Sequence, residues 1–394
     1  MIPVEEALAR VLALVAPTGV ESVPLRQAAG RVLAEPVAAR LTQPPFAASA
    51  MDGYAIREAD HVAGRVLTVI GEAAAGRGFG GTVSEGQAVR IFTGAPVPAG
   101  AERVILQEDV TRAGEDITLG TRLEEGRNIR AAGQDFAEGD LISAPRRIGA
   151  KEIALFAAMN VPEVSVRRRP VVAFLSTGDE LVMPGEAPGP DQIVASNGLA
   201  LAAMAEAEGA EARVLPIARD TEASLRFTLA LAEDADLIVT IGGASVGDHD
   251  LVGKVLADLG MAQAFWKVAM RPGKPLMAGT LGRSAVLGLP GNPVSSIVCG
   301  HIFMLPAIRA MLDLPDPAAT PIQATLSAPV EENGPRAHYM RATVKTQDGV
   351  PVIHALPRQD SALLSVLGMS NALLIRPVGD KAREAGELVS YLPI

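Results

Sequence analysis

The chain has 394 residues, with 35 Lys and Arg against 45 Asp and Glu, a formal charge of −10. An acidic balance of that size argues against a general nucleic-acid binder, although local clusters of Lys, Arg and backbone N–H groups can still hold an anion. The single cysteine, Cys299, excludes a disulfide within the chain and any Cys-based metal centre, and its apolar surroundings mark it as a small buried hydrophobe.

The length suggests two to four domains. Hydrophobic content of 48% supplies their cores, which must be built from Ala, Val, Leu and Ile because aromatics make up only 3%. The start, MIPVEE, has no basic segment leading into an apolar run, and no stretch of about 18 uncharged apolar residues appears. A cytoplasmic location is the expectation.

Residues 1–168 open with Val4, Leu8, Val11, Leu12 and Val15 at helical spacing, which predicts an amphipathic helix. Short β-like runs broken by Gly and Pro follow at Val66–Ile70, Ala88–Phe92 and Arg103–Leu106, then a helical pattern from about Ala150 to Met159. This is a β-rich module held by helices. From residue 169 the rhythm changes. Val171–Leu175 is continuously apolar, as in a strand buried on both faces. A helix over Gly198–Glu208 ending at Gly209, a strand over Arg213–Ile217, a helix opened by DTEA at Asp220, and a strand over Leu237–Ile241 complete an alternation that implies a parallel sheet between helices. Pro293 suits the first turn of a helix with Asn292 as its N-cap. That helix runs toward Ala310, with Pro306 expected to kink or end it. The Pro-rich stretch after Leu314 reads as a linker, and residues 316–394 return to short strands, with a hairpin turn at Asp348-Gly349. A small barrel or sandwich is the natural expectation there.

Candidate chemistry gathers at the carboxyl ends of the parallel strands, where such sheets bind ligands. The strand ending at Ile241 runs into GGASVGDHD (242–250), where Gly242, Gly243, Ser245 and Gly247 precede a helix expected near Asp248. The glycines allow close backbone approach and the helix start presents free N–H groups, a geometry that suits a phosphate. A plain tight turn is the other reading. Asp179 and Glu180 follow the first buried strand, Asp220 the next and Asp248 the strand ending at Ile241, so three strand ends present acids to one rim. These are either solvated helix caps or a seat for Mg²⁺ against phosphate oxygens. Lys267, Arg271 and Lys274 lie within WKVAMRPGKP (266–275), a loop stiffened by Pro272 and Pro275 and expected to face the acids. Acids, bases and a glycine cradle around one cleft suggest a divalent metal and a phosphoanhydride. The five histidines show no ligand spacing, and no Ser/His/Asp or Cys/His nucleophile arrangement assembles. SAMDGYA (49–55), FTGAPVP (92–98) and NIR with Gly133 and Asp135 beyond it read by themselves as polar loops beside strands.

Taken together in this order, SAMDGYA, FTGAPVP, NIR, STGDEL (176–181), GGASVGDHD, WKVAMRPGKP and LPGNPVS (289–295) resemble the molybdopterin molybdenumtransferases, the MoeA family that also includes the E domain of gephyrin. The resemblance covers nearly the whole chain. It implies an α/β multidomain fold: an N-terminal connector (1–45 plus 140–168), an inserted β-rich domain (46–139), a central three-layer α/β molybdopterin-binding domain with a parallel-rich sheet (169–315) and a C-terminal β-barrel (316–394). It implies a homodimer whose cleft is shared between subunits. It also implies insertion of molybdenum from molybdate into adenylylated molybdopterin, with release of AMP. The catalytic positions it carries over are Asp52, Thr93, Asp135, Glu180, Asp220, Asp248, Lys267, Arg271 and Lys274, with Glu180, Asp220 and Asp248 holding Mg²⁺. Substrate binding falls on Gly242, Gly243, Ser245, Gly247, Pro290, Asn292 and Pro293, and on Arg341 and Ser361 for molybdate, with Arg336 nearby. Two departures stand out: Arg271 where many relatives have Lys, which replaces a compact charge with a fork, and Gln134 where an acid is common. A molybdopterin adenylyltransferase is a candidate partner. As alternatives, the chain is itself an adenylyltransferase, an activity whose enzymes usually lack the N- and C-terminal modules, or a non-catalytic molybdopterin carrier or scaffold.

Overall fold

The computed structural model describes residues 1–243 and 251–394. The expectations placed on Ser245, Gly247, Asp248 and a helix start near Asp248 lie outside the described residues.

The N-terminal helix spans Val4–Leu12 and buries Val4, Ala7 and Val11 against the last core helix, Leu305–Met311, and the strand Ala262–Trp266. Val15, expected on its apolar face, lies beyond the helix end but still packs on the same core. Strands Val20–Pro24, Glu163–Arg167, Val32–Leu33 and Arg146–Arg147 form a four-stranded sheet. The chain therefore leaves this sheet after residue 33 and returns to it at residue 146. Within that excursion a six-stranded sheet forms, in the order Arg103–Leu106, Gly53–Ile56, Gln87–Ile91, Val66–Ala73, Asp116–Leu119, Val110–Ala113.

The central sheet runs Glu211–Val214, Val171–Ser176, Leu237–Ile241, Ser284–Leu289, Met277–Leu281, Ala262–Trp266. The first four strands are parallel; Met277–Leu281 runs antiparallel to them, and Ala262–Trp266, antiparallel to it, points the same way as the first four. Side chains alternate between faces along each strand. Val172 and Phe174 join one core with Leu201, Val298 and Phe303, while Ala173 and Leu175 join another with Leu225, Leu229 and Val255. Two cores on one sheet make three layers, and they explain why Val171–Ser176 is apolar throughout. The strand expected at Arg213–Ile217 instead covers Glu211–Val214.

Pro306 neither ends nor sharply breaks its helix. The chain runs as an α-helix over Pro293–Cys299, widens into a π-turn over Gly300–Met304 and resumes as Leu305–Met311. The wider turn accommodates a ring that would clash with the carbonyl four residues earlier. This 19-residue run is long and apolar enough to cross a membrane by length and composition, yet it is 78% buried and forms the centre of the larger core.

The C-terminal strands Ala337–Gln347, Val350–Ala355, Ile322–Leu326, Leu388–Pro393 and Ala372–Arg376 pair in that order, and the last pairs back to the first. Closure into a barrel leaves no free edge. Asp348 and Gly349 both adopt positive φ, 49° and 79°, the requirement of the tight hairpin turn their pairing predicts. Met270–Arg271 of the central domain adds to the barrel alongside Ala337–His338.

Candidate active site

The carboxyl ends of the parallel strands open into a cleft of about 1110 Å³. Its wall includes Thr177, Glu180, Asp220, Gly242, Gly243, Pro290, Asn292 and Pro293, so two of the three predicted rim acids share it with the glycine turn and the start of the Pro293 helix. Asp220 is held by the loop after the first strand: its N–H donates to the Asp179 carboxylate at 3.3 Å. The Arg219 guanidinium binds the carbonyls of Asp179 (3.2 Å) and Leu181 (3.1 Å). Asp179 therefore serves the loop and leaves Glu180 and Asp220 for the cleft.

Gly242 and Gly243 have φ of 92° and 66°. A Cβ on Gly243 would stand 2.3 Å from the Val252 side chain, and one on Gly242 would stand 3.0 Å from the Thr177 carbonyl. Only glycine lets the backbone turn here and still lie against its neighbours. The Asn292 side chain, expected to cap the helix, instead donates to the Ser361 hydroxyl at 3.0 Å, and the Val294 N–H donates to the Ser361 carbonyl at 3.1 Å. Ser361 belongs to the C-terminal region, so the helix start is capped from another domain. Asn197 supports the turn before it, donating to the Gly291 carbonyl at 2.7 Å.

The residue before Ser361, Asp360, holds Arg341. This guanidinium is fully buried (0% exposed); Nη2 donates to the Asp360 carbonyl at 3.0 Å, while Nε and Nη1 have no partner. Burial first, and then the nearby Arg271 charge, lower its pKa, with Asp360 opposing. Unpaired buried charge is costly, so these two donors beside a second guanidinium are left without the partner that would offset their burial.

The basic loop is positioned differently from expectation. Among the described residues lining the cleft, Pro275 comes from this loop, but Lys267, Arg271 and Lys274 do not. The loop is a junction of three domains. Ile2 pairs with Val268, its N–H donating to the Lys267 carbonyl at 3.1 Å and its carbonyl accepting from Ala269 at 2.8 Å. On the other side Arg271 registers with His338 of the barrel. Lys267, at φ 69°, lays its ammonium over the Trp266 ring, 4.1 Å from the centroid. Pairing to the barrel brings the Arg271 charge close to Arg341.

The three polar loops of the N-terminal region, which physics alone separates, are knitted together. Ala48–Ser49 pairs with Ile129–Arg130, Ala48 also bridges to Pro96, and the Ser49 carbonyl accepts from Gly94 at 2.8 Å. Asp52 accepts from both the backbone N–H (2.8 Å) and the hydroxyl (2.7 Å) of Thr93. Those two bonds, backbone first, hold its carboxyl below the usual carboxylate range, with Arg90 contributing. Arg90 stacks on Tyr54 and Phe92 and donates to the Gly53 carbonyl at 3.0 Å, a supporting role the sequence reading missed. Asp135 is exposed on the neighbouring loop, its N–H bonded to the Gln43 carbonyl. None of Asp52, Thr93 and Asp135 lines the cleft of their own chain.

A wound α/β domain with an acid-and-glycine rim, flanked by a β-rich module and a closed barrel that lends residues to the same rim, defines a multidomain enzyme for a phosphorylated ligand. Family models match residues 2–160 as the MoeA N-terminal region (domain I and II), 173–310 as a probable molybdopterin-binding domain, and 323–394 as the MoeA C-terminal region (domain IV). The molybdopterin molybdenumtransferase of Nostoc sp. is 37% identical over 95% of this chain and 89% of its own length. That of Haemophilus influenzae is 33% identical over 100% and 98%. The crystal structure of the molybdopterin biosynthesis MoeA protein of Pyrococcus horikoshii superposes with a TM-score of 0.86 at 28% identity, covering 100% of both chains. The chain belongs to the molybdopterin molybdenumtransferase family. Relatives of that name align along the terminal modules as well, so the adenylyltransferase reading is not favoured.

Proposed function

We propose that the chain transfers molybdenum from molybdate to adenylylated molybdopterin, releasing AMP and forming the molybdenum cofactor. The observation that carries this reading is Arg341. A buried guanidinium with two free donors, facing Arg271 and one residue from the Ser361 segment, matches a small doubly charged oxyanion such as molybdate. The seat adjoins the cleft, because Ala362 and Asn292 line the cleft while Ser361 joins them to the Arg341 segment. An oxyanion and a phosphoanhydride would then lie side by side.

In this reading the Gly242-Gly243 turn and the Asn292–Pro293 helix start hold the pterin phosphate through backbone N–H groups. Glu180 and Asp220 fit Mg²⁺, a hard cation that takes one or two carboxylates alongside phosphate oxygens and water. Asp248 would join them. When bound, the ion offsets the charge of the anhydride. Asp52 and Asp135 support a homodimer. Asp135 is exposed and Asp52 half-buried; both are held by hydrogen bonds and absent from their own chain's cleft lining, as residues that complete a second subunit's cleft would be. A molybdopterin adenylyltransferase, which makes this substrate, is the expected partner.

The test is AMP release by the purified protein given adenylylated molybdopterin, Mg²⁺ and molybdate, with the cofactor product measured alongside. No molybdate-dependent AMP release would sink the proposal. For the shared cleft, Asp52→Ala and Asp220→Ala chains, each inactive, are mixed and allowed to exchange. Heterodimers regain one intact cleft, so activity returns to about a quarter of wild type. No recovery in exchanged dimers would show that Asp52 and Asp220 do not meet across the subunit boundary.

A further inference from the structure

The cleft has an electrostatic imbalance. Glu180 and Asp220 put two carboxylates on its wall, and the ligand proposed for it is itself an anion. The basic loop does not restore the balance, since Lys267 lies on Trp266 and Arg271 is paired to the barrel. Among the described lining residues one side chain is cationic, and it is Lys254. It belongs to the helix Leu251–Asp258, whose Val252 packs beneath Gly243, so it stands on the element that supports the glycine turn.

Lys254 has a partner for now. Its ammonium is paired with Glu222, the first residue of the helix Glu222–Ala230 and two positions from Asp220. The hydrogen bond to Glu222 raises the lysine pKa and that to Lys254 lowers the glutamate's, so both are charged at neutral pH. The side chains are 61% and 45% exposed. Exposed pairs of this kind are weakly held and screened by salt. A lysine offers a compact charge on a flexible stem with three donors, and can change partner without moving its helix.

We propose that Lys254 is the substrate-binding cation of this cleft, giving up Glu222 for a phosphate oxygen of the incoming ligand. Glu222 then acts as a competing anion that holds the ammonium at the rim until phosphate arrives. This rests on the reading of the cleft as a phosphoanhydride site.

The experiment uses AMP, the proposed product and a phosphomonoester, titrated calorimetrically into the full-length wild type and the K254M, K254R and E222Q variants. AMP release from adenylylated molybdopterin is measured in parallel. The expected result is an affinity for AMP about 10-fold weaker in K254M, with kcat/KM lowered mainly through KM. K254R should retain most of the affinity, and E222Q should bind AMP severalfold more tightly because the competitor is gone. A pair that only ties two helices together predicts something else: K254M and E222Q would move in the same direction, or neither would move. Either pattern, or no AMP binding by wild type, overturns the proposal. Wild type that turns over while K254M binds AMP normally sinks this inference alone. Wild type that binds AMP with the predicted shifts but never releases it from the adenylylated pterin sinks the functional reading and leaves Lys254 as a phosphate ligand.

Discussion

Two neighbouring regions of this molecule are electrostatic opposites. The strand-end cleft is lined by Glu180 and Asp220 with Lys254 as its described cation. Buried Arg341 has the Arg271 charge beside it, with Arg336 and Arg376 near enough to act on His338, and the carbonyl of Asp360 is the guanidinium's firmest bond. Carboxylates suit a metal ion that in turn binds phosphate; free guanidinium donors suit a bare oxyanion. Ser361 links the two, bonded to Asn292 on the cleft side and following Asp360 on the other. In the proposed reading, separate charge environments would let one protein gather two anions that repel each other in a single basic pocket.

The largest effect should come from breaking the acid side. Asp220→Ala removes a proposed metal ligand, and AMP release should fall by roughly 100-fold or more, the worth of several kcal/mol of charge stabilisation. An unchanged rate under saturating Mg²⁺ would remove Asp220 from the chemistry.

Arg341→Met tests the cationic side. The molybdate concentration for half-maximal activity should rise by about 10-fold or more, as expected for losing charge-assisted bonds. Molybdate should raise the thermal midpoint of wild type but not of the variant. Unliganded Arg341→Met should be no less stable than wild type, because an unpaired buried charge is replaced by an apolar side chain of similar length. A large loss of stability would mean that the arginine is structural.

Gly243→Ala probes the backbone between the two. The added Cβ would meet Val252 at 2.3 Å and the residue would sit at φ 66°, so about 1–3 kcal/mol of stability should be lost, together with phosphate affinity. Chemical denaturation and AMP titration measure the two losses.

The smallest and most specific effect concerns His338. Burial, and then the charges of Arg271, Arg341, Arg376 and Arg336, push its pKa down to about 4 from 6.5. The folded form thus holds the imidazole neutral where the unfolded chain would protonate it. Between pH 6.5 and about 4 the unfolded state binds more protons, so stability rises with pH there and is lost as pH falls through that window. Burial has the same effect on His301, so the contribution of His338 is read by difference. His338→Gln should show a shallower acid decline than wild type in unfolding midpoints measured from pH 7 to 4. Parallel curves would show that His338 does not sense the surrounding arginines.

Much of this was legible from residue order alone. Continuous apolar runs at Val171 and Leu237 announced strands buried on both faces, because each face packs its own core. Asp348-Gly349 announced a hairpin, since few other pairs tolerate positive φ twice. Glycines and acids just past strand ends announced the rim, because a parallel sheet delivers those ends to one side. These are local or periodic properties, and the chain carries them wherever it folds.

Tertiary structure alone decided which residues meet. Lys267, Arg271 and Lys274 were expected opposite the acids, yet the pairing of Met270–Arg271 with the barrel and of Val268 with Ile2 turns that loop toward Arg341. Ser361 reaches the Asn292 turn across 69 positions of sequence, and Asp52 is fixed by Thr93 across 41. Lys254 drew no notice as one exposed lysine on a helix, and gained meaning when the cleft around it proved to hold carboxylates. Hydrogen bonds and charge pairs between distant segments depend on how domains dock, and docking is set by packing of whole surfaces that leaves no periodic mark in the sequence.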